Sequence, residues 1–256
     1  MVNYLLKKSY QHKDLKEINY RDLWNDNGVF TTMWIYGKPP RILFFKSHIN
    51  NLIKSLKVYK IYKKDTKKKI LKLIKININK NKSYNHLFRI ALNDNIISLS
   101  LRDRLKPKNN FKLKLVNYER VRPEYKNLKY KAILRYLSNM NTTKKDIALC
   151  VNKKILETGT SNLLFVSKNI IYSPINKYYK GTNFKFYKKK FKIKKRDIPI
   201  KTLNDYDEII LVGSGKGVVS VKSVEGINWK RKKTRVYKSI LSTFSKENKK
   251  QKYLYK

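Results

Sequence analysis

Hydrophobic positions in the first half of the chain switch between the two-residue period of strands and the three-to-four-residue period of helices. Residues 29–36 are rich in β-branched and aromatic side chains and end at Gly37-Lys38-Pro39-Pro40, which predicts a strand that stops at a turn. Asn93-Asp94-Asn95 separates two further strand-like runs and indicates a hairpin. The predicted order is strands 29–36 and 41–45, a helix through 49–56, a helix over 66–76, and strands 86–92 and 96–101.

The second half repeats this alternation after a polar break at Lys106–Asn110. Its predicted elements are strands 111–118, 147–151, 161–166, 170–172, 208–212 and 218–221, with helices opening near 130, over 184–191 and from about 232. We therefore expect an α/β (α+β) chain made of an N-terminal lobe (1–117), a connector (118–122) and a C-terminal lobe (123–256).

Lysine dominates the composition, and the resulting positive charge adds nucleic acid and anionic surfaces to the possible partners. The chain has 62 Lys and Arg against 17 Asp and Glu, a formal net charge of +45, which is typical of proteins that bind nucleic acid or an anionic surface. The lysines run through the whole chain together with Asn, Ile and Tyr, a pattern that a compositional bias with solvated lysines also produces. Under either interpretation, non-specific nucleic-acid binding is expected.

Other features narrow the class of chemistry and the setting. No stretch approaches the roughly 20 apolar residues that span a bilayer, and the first residues lack an apolar core of signal-peptide length. Cys150 is the single cysteine, so an intrachain disulfide is excluded and a cytoplasmic setting is expected. His12, His48 and His86 are scattered, which argues against a metal site. The loop Gly213–Gly217 lacks the spacing of a nucleotide-binding P-loop.

The most specific motif is Glu157-Thr158-Gly159-Thr160-Ser161-Asn162-Leu163, which follows an apolar strand. It resembles the E-x-x-[ST]-S-N-[ILV] signature of the class IV aminotransferase family and its lyase relatives. Gly28–Thr32 is similar to the G-x-F-[ET]-T run of the aminodeoxychorismate lyases in that family. Lys126–Tyr130 is similar to the family's lysine segment, and Lys180–Thr182 and Ser214–Lys216 fall where its phosphate-binding turns lie. The resemblance covers about residues 25–221.

The resemblance implies a two-lobed, fold-type IV enzyme that holds pyridoxal 5'-phosphate (PLP) in the cleft between the lobes and is commonly a homodimer. It implies that Lys126 carries the cofactor and exchanges protons with the substrate, with Lys129 and Lys131 as less well placed alternatives. It implies that Glu157 faces the pyridine nitrogen. The other residues that it places at the cofactor are Tyr130, Gly181, Thr182, Ser214, Gly215 and Asn51.

Two enzymatic activities fit these residues. Phe30-Thr31-Thr32 favours the lyase reaction of folate synthesis, in which pyruvate is eliminated from aminodeoxychorismate and 4-aminobenzoate forms, with Thr32 supporting the elimination. A transaminase acting on branched-chain or D-amino acids needs the same lysine and glutamate, so it stays an alternative. A non-catalytic, basic nucleic-acid-binding relative is the alternative from another class. The arginines predicted to bind a substrate carboxylate are Arg89, Arg102, Arg104 and Arg122.

The sequence departs from the family at the phosphate. Asn51 stands where the family carries a phosphate-binding arginine, and Thr182-Asn183 replaces the usual Thr-Arg. Asn can donate a hydrogen bond but brings no charge, so weaker cofactor retention is expected. The lysines expected to compensate are Lys54, Lys180 and Lys216.

Overall fold

Two units of mixed helix and strand make up residues 3–254, the part of the chain that the computed structural model describes. The first unit runs to Arg104 and also contains Tyr125–Lys131 and the chain from Gln251 onwards. The second unit contains Leu105–Glu124 and Ala132–Lys250.

An antiparallel sheet of six strands and two helices form the first unit. Its elements are β1 (Tyr4–Gln11), β2 (Glu17–Ile18), β3 (Gly28–Gly37), β4 (Arg41–Ile42), α1 (Phe45–Val58), α2 (Thr66–Asn77), β5 (Tyr84–Asn93) and β6 (Ile96–Asp103). The strand order is β2-β1-β6-β5-β3-β4, and β3 pairs with β5 along its whole length. Thr32 of β3 and Arg89 of β5 therefore lie on neighbouring strands of this sheet.

One face of this sheet packs into the core of the first unit. Met33, Ile35 and Phe88 are buried in one cluster with Leu52 and Leu56 of α1. Burying such side chains contributes about 1.5–3 kcal/mol each. Because side chains alternate along a strand, Phe30, Thr32 and Trp34 are on the opposite face of the sheet.

A mixed sheet of eight strands organises the second unit. Its elements are β7 (Phe111–Asn117), α3 (Lys131–Ser138), β8 (Lys145–Val151), β9 (Lys154–Thr158), β10 (Asn162–Ser167), β11 (Ile170–Ser173), α4 (Thr182–Lys190), β12 (Ile193–Lys195), a 3₁₀ helix (Ile200–Asp205), β13 (Glu208–Gly213), β14 (Gly217–Glu225) and α5 (Arg235–Lys250). The strand order is β12-β11-β10-β13-β14-β7-β8-β9. The predicted α/β (α+β) class is therefore observed in both units.

The boundaries between the units differ from the predicted ones. Residues 111–117 lie in the second unit because β7 pairs in parallel with both β8 and β14. Tyr125–Lys131 lies in the first unit because Asn127 forms a β-bridge with Val29. Lys126 and Glu157 are consequently in different units, and not together in the C-terminal lobe as predicted.

None of the helices within residues 3–254 is both long enough and apolar enough to cross a membrane.

Candidate active site

The lysine segment docks as a short added strand beside the beginning of β3. The Phe30 amide donates to the Lys126 carbonyl, and the Leu128 amide donates to the Gly28 carbonyl, each at 2.9 Å. These bonds bring two segments that are far apart in the sequence side by side. As a result, the Lys126 Nζ lies 5.1 Å from the centroid of the Phe30 ring.

Glycine is required at position 28 because of this close approach. A Cβ at Gly28 would lie 2.2 Å from the Leu92 carbonyl oxygen and 2.7 Å from Leu128 Cδ1. We expect Gly28→Ala to lower the free energy of unfolding by about 1–3 kcal/mol, because overpacking of this kind displaces backbone. Urea denaturation measures the loss. A stability equal to that of the parent would contradict the close packing of the lysine segment on β3.

Aromatic rings surround the far end of the lysine segment. Tyr130 stacks on Trp24 at 5.7 Å between ring centroids and meets Phe30 edge-on at 5.4 Å. Lys129, the alternative cofactor lysine, is exposed and donates from its Nζ to the Asn25 carbonyl at 2.6 Å. Lys126 is therefore the lysine of this segment that lies by the Phe30 ring.

A buried hydrogen-bonded pair between β3 and α1 was not predicted from the sequence. The Thr31 hydroxyl lies 2.9 Å from Nδ1 of His48 in α1, and both side chains are buried. Burial first, and the charge of Lys126 second, lower the pKa of His48 to about 3. His48 is therefore a neutral hydrogen-bonding partner for Thr31, whereas Thr32 belongs to the other face of the strand.

The neutral state of His48 makes stability depend on pH. Its pKa is about 3 in the fold against an ordinary 6.5, so the unfolded chain binds the extra proton between these values and stability is lost as pH falls below about 6.5. We expect His48→Asn to remove a slope of about 1.4 kcal/mol per pH unit between pH 6 and 5. Burial lowers the pKa of His12 as well. His12→Asn is therefore the matched variant for His48→Asn, and the same slope of stability against pH is measured on it. An unchanged slope in His48→Asn would mean that the imidazole is charged in the fold.

Three of the four predicted substrate arginines lie in the first unit. Arg89 in β5 is buried, pairs in register with Thr32, and donates to the Asp22 carbonyl at 2.7 Å. Its guanidinium carbon lies 4.1 Å from the centroid of the Trp24 ring, and that of Arg104 lies 4.1 Å from Trp34.

Burial lowers the pKa of the guanidinium groups of Arg89, Arg102 and Arg104. The pKa of Arg104 falls to about 10. The like charge of Arg89 further lowers the pKa of Arg102, after burial. Two neighbouring cations that are removed from water favour an anionic ligand.

The second unit holds the predicted acid. Glu157 in β9 is buried, and its Oε1 accepts a 2.7 Å bond from Nε of Arg120, which is itself buried. Arg120 also donates to the Pro123 carbonyl at 2.6 Å, and the Tyr179 amide donates to Glu157 Oε2 at 3.3 Å. Glu157 is therefore held as a carboxylate by a charge-assisted bond.

Sequence reasoning did not name Arg120 as the partner of Glu157. Arg122, two residues further on, was predicted to bind a substrate carboxylate, and that role stays a prediction. Arg122 is exposed and has a left-handed backbone with φ of 44°. A buried acid requires a partner, and that requirement is the one signal that could have pointed to an arginine near Glu157. It does not identify which arginine.

The predicted phosphate-binding residues of the second unit converge on the beginning of α4. Gly181 precedes this helix with an extended backbone, and no side chain caps the first turn. The Asn162 Oδ1 accepts a bond from the Gly181 amide at 3.1 Å, and the Ser214 hydroxyl donates to the Asn183 Oδ1 at 3.0 Å. The turn that contains Gly215 is thereby tied to Thr182-Asn183.

This region fits a phosphate. The N-terminus of a helix supplies amide donors and a favourable dipole for an anion. Two buried polar atoms in the same region, Ser161 Oγ and Asn183 Nδ2, have no hydrogen-bond partner. A Cβ at Gly181 would lie 2.8 Å from Asn162 Oδ1, so the turn admits only glycine without displacement.

The three lysines expected to compensate for Asn51 differ in setting. Lys54 and Lys180 are exposed, whereas Lys216 is half-buried and lies 3.7 Å from the Asp146 carboxylate. Asn51 is in α1 and half-buried, and its carbonyl accepts the Ser55 hydroxyl. Its role at a phosphate stays a prediction.

Within residues 3–254, no group of three or more His, Cys, Asp or Glu side chains is arranged to hold a metal ion.

Comparison with known proteins places this arrangement in a family. The amino-transferase class IV profile matches residues 28–224. This span contains Phe30, Lys126, Arg120, Glu157 and Gly181. The chain belongs to the class IV aminotransferase family, and it is accordingly a PLP-dependent transferase or lyase. No curated protein sequence matches it significantly.

Solved structures share the fold at low sequence identity. The branched-chain aminotransferase of Thermoproteus uzoniensis with norvaline is 15% identical, with a TM-score of 0.75 and 98% of each chain covered. A hypothetical aminotransferase from Mycobacterium tuberculosis in its PLP-bound form is 12% identical, with a TM-score of 0.69, covering 94% of this chain and 98% of that one. A 4-amino-4-deoxychorismate lyase candidate from Legionella pneumophila is 16% identical, with a TM-score of 0.69, covering 86% and 91%. The predicted fold-type IV architecture is thus confirmed.

Proposed function

We propose that this protein is an aminodeoxychorismate lyase, which eliminates pyruvate from 4-amino-4-deoxychorismate and releases 4-aminobenzoate for folate synthesis. The observation that carries the proposal is the pair Arg89 and Arg102. Within residues 3–254, neither lies within 4.0 Å of a carboxylate, although burial disfavours the charge of both. Aminodeoxychorismate carries two carboxylates, so it would match two such cations. A branched-chain amino acid carries one carboxylate and an apolar side chain, which is a poorer match.

The residues of the first unit would handle the proton and the leaving group. The Lys126 amine would take the proton from the substrate ring carbon, and the Thr32 hydroxyl would support departure of the enolpyruvyl group. Thr32 shares a strand face with Phe30, whose ring lies by the Lys126 Nζ. PLP, when bound, supplies a ring that withdraws the electron pair left by the departing proton.

The residues of the second unit would hold the cofactor. Glu157 would provide the negative charge for the pyridine nitrogen, because Arg120 keeps it a carboxylate at a fixed position. Gly181, Thr182, Ser214 and Gly215 would receive the phosphate at the beginning of α4.

The direct test is a product assay on the protein loaded with PLP. The lyase proposal predicts 4-aminobenzoate and pyruvate in equal amounts from aminodeoxychorismate, and little transfer of amino groups from branched-chain or D-amino acids to 2-oxoglutarate. Efficient transfer without 4-aminobenzoate would establish the transaminase alternative instead.

The arginine pair can be tested separately. Arg89→Leu and Arg102→Leu should each raise KM for aminodeoxychorismate about tenfold or more, the equivalent of one lost charge-assisted bond. Arg235→Leu is the matched control, because Arg235 is exposed and is not among the arginines predicted to bind the substrate. Equal effects of all three changes would mean that the pair Arg89 and Arg102 does not bind the substrate.

The setting that goes with this function is cytoplasmic, and the assembly a homodimer. The single cysteine supports the first part: Cys150 is buried, and burial raises its pKa to about 11, as suits an unreactive thiol. Sedimentation equilibrium would decide the assembly, and a monomer at micromolar concentration would contradict the dimer.

We infer a second, non-enzymatic candidate function, nucleic-acid binding, from a cation cluster of the second unit. The α4–β12 cluster consists of exposed residues at the end of α4 and on the edge strand β12: Lys188, Lys189, Lys190, Lys192, Lys194, Lys195 and Arg196. In the described part of the chain, none of the seven forms an ion pair. Seven cations along one segment match a phosphate backbone.

A matched pair of variants tests whether this cluster is a site. Changing Lys188, Lys190, Lys194 and Lys195 to Gln should weaken binding of a labelled RNA of about 20 nucleotides at least about tenfold and reduce the salt slope by about 0.7 per lost contact. The control changes four exposed lysines of α2 to Gln: Lys67, Lys68, Lys72 and Lys75. Equal losses in the two variants would show that charge acts diffusely.

A further inference from the structure

Asp146 at the beginning of β8 is a fully buried carboxylate that has two partners of different kinds. Its side chain is 0% exposed. Its Oδ2 accepts the Thr160 hydroxyl at 2.6 Å and lies 3.7 Å from the Lys216 Nζ. The Oδ1 accepts the Ile147 amide at 2.8 Å. An ionised group in this position is stable only when such partners surround it.

Lys216 is directed to this acid and to the backbone. Its side chain is 9% exposed, its Nζ donates to the Thr142 carbonyl at 2.9 Å, and the same atom lies 4.8 Å from the centroid of the Phe111 ring. The lysine that the sequence offers as a substitute for the missing phosphate arginine is therefore balanced by Asp146. Its position in the loop between β13 and β14 fixes that loop to the beginning of β8.

The second partner of Asp146, Thr160, belongs to the turn Glu157–Asn162. Thr160 is held by Asp146, and the Thr158 hydroxyl accepts the Ser161 amide at 2.8 Å. A Cβ at Gly159 would lie 3.2 Å from Asp146 Oδ1 and 2.9 Å from Ile147 Cγ1, so glycine allows this turn to approach the acid. One buried carboxylate thus connects two turns that the sequence keeps far apart.

The turn Glu157–Asn162 and the loop between β13 and β14 both lead directly into the region that fits a phosphate. Gly213 is so close to the first turn that a Cβ would lie 2.6 Å from the unpartnered Ser161 Oγ. Ser214 in the loop bonds to Asn183 of α4, and Asn162 bonds to the Gly181 amide. A shift of either turn would therefore move donors at the beginning of α4.

We propose that Asp146 is a positioning residue for the cofactor phosphate, which acts by holding Thr160 and Lys216 and through them the two turns that receive the phosphate. The inference rests on the proposed placement of the phosphate at the beginning of α4. It means that this chain replaces a directly bound arginine by a rigid set of neutral donors, which an internal ion pair keeps in place.

The experiment compares two ligands that differ only in the phosphate. Binding of PLP and of pyridoxal is titrated by absorbance for the parent, for Asp146→Asn and for the double variant Asp146→Asn with Lys216→Met. We expect Asp146→Asn to raise the Kd for PLP about tenfold and the Kd for pyridoxal less than about twofold. The double variant removes the uncompensated lysine, and it should fold while keeping the reduced preference for PLP.

The control is Glu225→Gln, which breaks the more exposed Lys145–Glu225 pair (2.6 Å) next to Asp146 and should leave both Kd values unchanged. Equal weakening of PLP and pyridoxal in the folded Asp146 variants, or no weakening, would overturn the proposal. A parent protein with no preference for PLP over pyridoxal would instead contradict the proposed placement of the phosphate itself.

Discussion

Lys126→Ala is expected to abolish turnover, with a loss of about 10³-fold or more in kcat, and to release the cofactor on desalting. Both losses follow from one amine. Lys126 is the group proposed to retain PLP covalently and to move the substrate proton, and its Nζ lies 5.1 Å from the Phe30 ring beside Thr32. An alanine methyl can do neither.

Absorbance after desalting and steady-state turnover measure this prediction together. Lys129→Ala is the matched control, because this lysine of the same segment is exposed and bonded to the Asn25 carbonyl. It should keep both the visible absorption and most of the activity. If the Lys126 variant retains the visible band while the Lys129 variant loses it, the assignment of the cofactor lysine is wrong.

Sequence patterns anticipated the parts of the fold that depend on local periodicity. The run at 29–36 becomes β3, the run at 66–76 becomes α2, and the helix predicted over 184–191 becomes α4. In each case one face is apolar, and burial of that face decides the structure. The eight-residue strand β1 was missed, because its sequence YLLKKSYQ has adjacent lysines where a strand would alternate, and its register comes from pairing with β6.

The missed features of the site are all long-range. The lysine segment belongs to the first unit because of two backbone hydrogen bonds to Gly28 and Phe30, and no side-chain pattern records such bonds. Arg120 lies 37 residues from Glu157, in a chain with 62 Lys and Arg. Residue types identified the acid, but only the fold selects its cation.

The difference between residue types and their positions in the fold also bears on the departures from the family pattern at the phosphate. Asn51 and Asn183 replace arginines of the family pattern, and the composition supplies many lysines that could in principle compensate. One of these, Lys216, forms an internal ion pair with Asp146. The number of lysines in the chain therefore does not tell which of them compensates for the missing arginines.

Arg120→Met is expected to lower the free energy of unfolding by about 3–5 kcal/mol, because it leaves the Glu157 carboxylate buried without its counter-ion. The pair is 5% and 7% exposed at the two side chains, so solvent cannot take over the role of the guanidinium. Arg122→Met is the control two residues away; it removes an exposed charge and should change stability by less than about 0.5 kcal/mol.

A double variant separates stability from chemistry at this pair. Arg120→Met combined with Glu157→Gln removes both charges and should recover most of the lost stability, since no unpaired ion remains. It should still bind PLP weakly and turn over poorly, because a neutral amide cannot provide the charge proposed for the pyridine nitrogen. Urea denaturation without PLP, followed by a PLP titration, gives both quantities. A double variant as unstable as Arg120→Met alone would show that the arginine stabilises the second unit through its Pro123 contact (2.6 Å) rather than through Glu157.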